Sequence, residues 1–201
     1  MPATPVLTTL RGADVTPYLD DVARLRIAVF RDWPYLYEGG AAYEREYLAA
    51  YAASPDSVFV LARDGATVVG ASTGLPLTDD APAFRRPFVE AGRDPAKVFY
   101  FGESVLLPAY RGLGLGHGFF DARESHARAI GRFTTTAFCA VDRSAADPRR
   151  PDGHRANDAF WHKRGYAREP ALSVHLHWQE TGQGNVEHAL TFWTRRLEPA
   201  A

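Results

Sequence analysis

Val105-Leu106-Leu107-Pro108-Ala109-Tyr110-Arg111-Gly112-Leu113-Gly114-Leu115-Gly116-His117-Gly118 decides how this chain is read. An apolar strand runs through a proline into an arginine and alternating glycines, and a helix-like pattern follows at once. Glycine in a helix's first turns costs ~1 kcal/mol relative to alanine, so its repetition needs a compensating reason. Close approach of main-chain N–H groups to a ligand is such a reason, since no side chain intervenes. A helix N-terminus beside the glycines adds unpaired donors and about half a unit of positive charge. Together these are the physical means of gripping a phosphate or pyrophosphate.

Two familiar phosphate loops fail on the residues. A Walker loop needs a Lys after its last glycine, and His117 follows Gly116. A Rossmann fingerprint needs GxGxxG at the start of a βαβ unit; residues 112–116 do not fit, and no second dinucleotide half is visible.

Working outward, the pattern predicts a strand over 98–107 before the glycines and a helix over 114–130 after them. Upstream come a short strand over 6–10, a helix from Thr16-Pro17 to Phe30, and a helix over 41–53. Strands over 57–63 and 67–73 flank Asp64-Gly65, a hairpin signal. Residues 75–98 carry Pro76, Pro82, Pro87 and Pro95 and read as an insertion or long loop, with one short helix over 87–92. Downstream lie a buried strand over 134–141, a short helix over 156–164, an alternating strand over 172–178 and a last strand over 188–195. Residues 197–201 read as a frayed tail. The order is β-α-α-β-β-(insert)-β-α-β-α-β-β, a mixed α/β chain with helices on a central sheet.

The 201 residues suit a single domain spanning 1–201. With 46% hydrophobic residues and a net charge of −1, the chain builds an ordinary core and has no global field to attract nucleic acid or an anionic membrane. The single Cys139 sits in an apolar run and reads as inert. The first residues lack the basic and apolar regions of a secretory signal, which makes the cytoplasm the expected compartment. His175 and His177 share a strand face, but no third ligand of suitable spacing accompanies them, so no metal is expected.

Arg111, Gly114 and Gly116 satisfy R/Q-x-x-G-x-G/A. That motif, its preceding strand and proline, and the later Phe160-Trp161-His162-Lys163-Arg164-Gly165-Tyr166 resemble the GNAT N-acetyltransferase superfamily. The likeness in element order covers roughly residues 6–196. It implies a central, mostly antiparallel sheet splayed at a cofactor slot, with helices on both faces. It also implies acetyl-CoA as co-substrate and direct transfer to a primary amine of a small molecule or peptide. A catalytically weak CoA- or acyl-CoA-binding module is the alternative. No nucleic acid or membrane partner is implied, and either a monomer or a homodimer paired through the last strands fits.

Carried over residue by residue, the resemblance sets the pantetheine arm along the main chain of Val105, Leu106 and Leu107 as an added strand. The pyrophosphate falls to the amides of Arg111, Gly112, Leu113, Gly114, Leu115, Gly116 and His117. An amide near Leu106 polarises the thioester carbonyl. Glu103, a carboxylate among apolar strand residues, is the candidate base; it shares a face with Val105 while Ser104 takes the other. The tyrosine usual for protonating the thiolate is Trp161 here, which cannot act as an acid. Trp161 is therefore expected to pack along the slot. Tyr166, His162, His154 and Tyr110 remain as donors, or water and the departing ammonium serve instead. Trp33, Tyr35, Tyr37 and Glu38 are candidate acceptor contacts, suited to a small amine with an apolar body. Arg85-Arg86 suit either an anionic acceptor or the coenzyme's 3′-phosphate.

Overall fold

A computed structural model describes residues 5–198. Its sheet is built from β1 (Val6–Arg11), β2 (Val58–Asp64), β3 (Thr67–Pro76), β4 (Val98–Tyr100), β5 (Ser104–Leu106), β6 (Thr135–Val141), β7 (Ala167–Glu180) and β8 (Gly184–Arg196). The helices are α1 (Leu19–Phe30), α2 (Ala41–Ala53), α3 (Pro82–Glu90), α4 (Leu115–Ile130) and α5 (Asp158–Lys163). Strands run in the order β1-β2-β3-β4-β6-β8-β7, with β5 also paired to β3. Every pairing is antiparallel except β4 with β6.

Side-chain alternation along β2 explains the layering. Phe59 and Leu61 enter a core shared with α1, α2 and α3, whereas Val58, Val60 and Ala62 enter a second core with α4. The sheet is thus covered on both faces, which is why β2 reads as a continuous apolar run.

Several predicted boundaries move for identifiable reasons. The first helix begins as a 3-10 turn over Gly12–Tyr18. The insert's helix starts at Pro82, at the helix's first position, and not at Pro87. Along α2, Tyr43 is exposed and Tyr47 half-buried, while Glu44, Leu48 and Tyr51 face inward. Leu197 is buried and its N–H bonds the Thr134 carbonyl at 2.8 Å, so the chain is anchored there and not frayed; residues 199–201 lie outside the described residues. Phe192 and Trp193 of the last strand are buried inside the chain and offer no surface for pairing between copies.

The predicted strand over 98–107 breaks in two, and the break shapes the site. Leu75 pairs with Tyr100, but Ser72 pairs with Ser104, so three steps on β3 face four on its neighbour. One extra residue is a β-bulge at 101–103. Both Gly102, whose added Cβ would meet Thr73 and Tyr51, and Glu103 therefore face the α1–α2 side.

Candidate active site

β4 and β6 run parallel only as far as Tyr100 and Ala137, with a final bond from the Phe101 N–H to the Ala137 carbonyl at 2.8 Å. Beyond it β5 stays with β3 while β6 stays with β8, and the strands part into a wedge. The bulge supplies the extra bend that separates them.

Antiparallel ladders alternate the residues that bond a given neighbour. The Thr73 N–H donates to the Glu103 carbonyl at 3.1 Å and the Leu107 N–H to the Val69 carbonyl at 3.0 Å. Residues 103, 105 and 107 therefore spend their main chain on β3, and Ser104 and Leu106 turn theirs into the wedge. Arg111 Nε donates to the Leu106 carbonyl at 3.2 Å, from the wedge side. Of Val105, Leu106 and Leu107, only Leu106 turns its main chain away from β3, and its N–H has no acceptor among the described residues.

At the wedge mouth a 3-10 turn over Pro108–Tyr110 leads into the glycines. Gly112 and Gly114 both hold φ of +80°, a left-handed conformation that opposes any side chain. Gly114 caps α4. The N–H groups of residues 112–116, which include Leu113 and Leu115, have no acceptor among the described residues. The ends of the predicted run differ: the Arg111 N–H already bonds the Pro108 carbonyl at 3.2 Å, and the His117 N–H bonds the Gly114 carbonyl at 3.0 Å. That leaves five consecutive amides, 112–116, without partners at and just before a helix N-terminus. The His117 ring lies 4.9 Å from Phe160.

Glu103 sits immediately after the bulge, buried against α1 and α2. Its Oε2 accepts from the Arg26 guanidinium, and from the Tyr47 hydroxyl at 3.4 Å. Arg26 also binds Glu44 Oε2, so one cation bridges two buried carboxylates. Burial lifts the Glu103 carboxyl above its ordinary range, and Arg26 opposes that lift. Burial works against the charge on Arg26 too, but Glu103, Tyr47 and Glu44 outweigh it and hold the guanidinium protonated.

Behind the bulge, on the α4 side, lies Arg123. It is fully buried and donates to the Thr73 and Glu103 carbonyls at 3.2 and 3.1 Å, and to Ser104 Oγ at 2.9 Å. Burial lowers its pKa to about 10. This side chain pins the extra residue that opens the wedge and aims Glu103.

Other predicted residues have structural employment. Tyr166 is buried, and its hydroxyl meets Thr136 at 2.8 Å and Glu124 at 3.2 Å. Burial and then Glu124 push that phenol above its usual range, and the hydroxyl faces Thr136 and Glu124 in the core. Trp161 packs 5.0 Å from both Phe138 and Trp193, against the β6 wall. Cys139 Sγ lies 3.1 Å from Tyr100 Oη, and burial pushes the thiol up to about 12.

The loop holding the acceptor candidates is pinned to the β7–β8 hairpin. Arg143 donates to the Pro34 and Tyr35 carbonyls at 2.7 and 3.1 Å and pairs with buried Glu180. Its guanidinium also lies over the Trp33 ring. Tyr35 packs between Phe30 and Trp178. Tyr37 faces Glu44; burial first, then that carboxylate, raises its phenol. The Glu38 N–H bonds Gln179, and its side chain is exposed.

Sequence reasoning passed over Arg26, Glu44, Tyr47 and Arg123. A signal existed: Arg26 lies one turn from Val22 and Arg123 one turn from Phe119, each a charge on an apolar stripe.

An open mixed sheet of eight strands with helices on both faces matches the fold of the GNAT acetyltransferases. Solved structures of this fold match nearly the whole chain. One is an aminoglycoside 6′-N-acetyltransferase complexed with coenzyme A, at 14% identity over 98% of this chain and 99% of that one, TM-score 0.60. Another is a ribosomal-protein-alanine N-acetyltransferase from Brucella melitensis, at 14% identity over 96% and 99%, TM-score 0.58. A third is an acetyltransferase of the GNAT family from Streptococcus pneumoniae, at 12% identity over 96% and 100%, TM-score 0.56. No protein-family model matches the sequence, and no curated protein does. At these identities the likeness establishes the fold.

Proposed function

We propose that the chain is an acetyl-CoA-dependent N-acetyltransferase acting on a primary amine in a ternary complex. The observation that carries this reading is the wedge itself: one strand edge with a free Leu106 N–H leads directly to five unpaired amides on a helix N-terminus. An acyl thioester with a diphosphate at its far end needs donors at both places, and the spacing along the chain supplies them in that order.

In this reading the amides of 112–116 hold the diphosphate and the Leu106 N–H stabilises charge developing on the thioester oxygen. Glu103 accepts a proton from the incoming ammonium, because only the free amine attacks. Its burial raises its proton affinity toward that task, and Arg26 opposes that rise. No side chain is assigned to protonate the departing thiolate, whose pKa near ~8.5 makes solvent or the amide-forming nitrogen a sufficient source.

The test has two arms: calorimetry with acetyl-CoA, and release of free thiol with a panel of primary amines. Binding with amine-dependent thiol release supports the enzyme. Binding without turnover on any amine supports the alternative, a CoA-binding module, which the locked Tyr166 hydroxyl and Trp161 keep in view. No binding removes both.

A further inference from the structure

Two atoms on the α1–α2 side are unexplained by the coenzyme grip. Glu44 Oε1 and Glu103 Oε1 are buried and make no hydrogen bond of normal geometry among the described residues, with only the Tyr37 hydroxyl near Glu44 and the Thr73 hydroxyl near Glu103. Their sister oxygens both engage Arg26. Two carboxylates against one guanidinium leave one net negative charge in this cluster. A buried carboxylate oxygen without a donor is costly, and its persistence calls for a partner that arrives from outside.

The surroundings say what that partner is. The Arg26 guanidinium lies 4.3 Å from the Tyr47 ring centre and 5.1 Å from that of Phe30. Phe30 in turn meets Tyr35 at 4.7 Å. All three rings are half-buried, so partly exposed aromatic faces adjoin the carboxylate–guanidinium cluster. Such faces favour an apolar body and tolerate a cation. Arg26, the cation nearest these oxygens, is already shared between two acids, so a second anion entering here would meet net negative charge.

We propose that Glu44 and Glu103 together form the acceptor's ammonium receptor, each offering Oε1. The substrate class is then a primary amine on an apolar or aromatic body, with no carboxylate beside the nitrogen. Free α-amino acids are excluded by like charge at a desolvated contact.

This inference rests on the acetyl-transfer reading, and the experiment separates the two. Calorimetry with acetyl-CoA tests that reading alone. With binding established, thiol release is measured on matched pairs: tyramine and tyrosine, phenethylamine and phenylalanine, agmatine and arginine. Each amine is expected to exceed its amino acid in kcat/KM by about a hundredfold or more, as expected for rejection of a like charge. Glu44→Gln is expected to raise KM for the amine about tenfold and narrow that ratio, with the acetyl-CoA affinity unchanged. Equal use of amine and amino acid overturns the proposal while acetyl transfer stands. An unchanged KM in a folded Glu44→Gln likewise overturns it alone, whereas turnover of no amine by protein that binds acetyl-CoA overturns the acetyl-transfer reading together with it. Should that variant fail to fold, the wild-type pairs decide alone.

Discussion

Replacing Arg26 by methionine keeps a stem of similar length and removes the cation that Glu44 and Glu103 share. Both carboxylates are buried, so neither gains water when the guanidinium leaves. Breaking a buried pair from one side costs about 3–5 kcal/mol, most of it the uncompensated charge left behind. The cost depends on pH in a fixed direction. Burial raises the Glu103 pKa and Arg26 is the largest influence lowering it, so in Arg26→Met it rises further above its unfolded value. A carboxyl whose folded pKa is raised contributes its stabilisation below the unfolded pKa and loses it as pH climbs through the folded one. The deficit is therefore full near pH 8 and shrinks toward pH 5, by up to about 1.4 kcal/mol per pH unit while one proton is taken up. Urea unfolding of wild type and variant at both pH values measures it. A loss below about 1 kcal/mol near pH 8, or one that does not change on acidification, rules out Arg26 as the cation shared by two buried carboxylates.

Glu103→Gln is expected to lower kcat/KM by about 10²–10³-fold and to abolish the rise of activity with pH that ionisation of the base produces, leaving the acetyl-CoA affinity unchanged. Gly114→Ala forces a side chain onto φ of +80° and is expected to cost about 1–2 kcal/mol and weaken coenzyme binding. Gly116→Ala meets only Phe160 at ordinary contact distance, so its thermal midpoint is expected to stay at or slightly above that of wild type. Tyr166→Phe removes a buried hydroxyl bonded to Thr136 and Glu124; about 1 kcal/mol of stability is expected to go while kcat stays within about threefold.

What the sequence made legible follows from periodicity. Leu172, Val174, Leu176 and Trp178 face the core while Ser173, His175, His177 and Gln179 are exposed, as their alternation required. The helix over 41–53 and the glycine-to-helix passage at 114–115 were equally plain, because proline and glycine mark their ends. The bulge was not legible. It changes which residues of one strand face which of another, and that register exists only between segments distant in sequence. Gly102, a glycine inside an aromatic strand, was its one local trace.

The site was half legible for the same reason. Local chemistry pointed to the glycine amides and to Glu103, both of which stand out within a dozen residues. The partners of Glu103 come from two helices more than fifty residues upstream, and only packing brings Arg26 and Glu44 to it. Tyr166 misled because a tyrosine after a helix-ending glycine looks available, whereas its ring fills the core beside Phe120 and Phe138.

One coenzyme molecule is expected to bind end to end along the unpaired amides at 112–116 and the Leu106 N–H. Amide proton–nitrogen NMR spectra recorded while coenzyme A is added test it residue by residue. The account expects the largest shifts at Gly112, Gly114, Gly116 and Leu106, saturating together at one equivalent. Saturation with those resonances unmoved, or no shift anywhere at millimolar coenzyme, contradicts it.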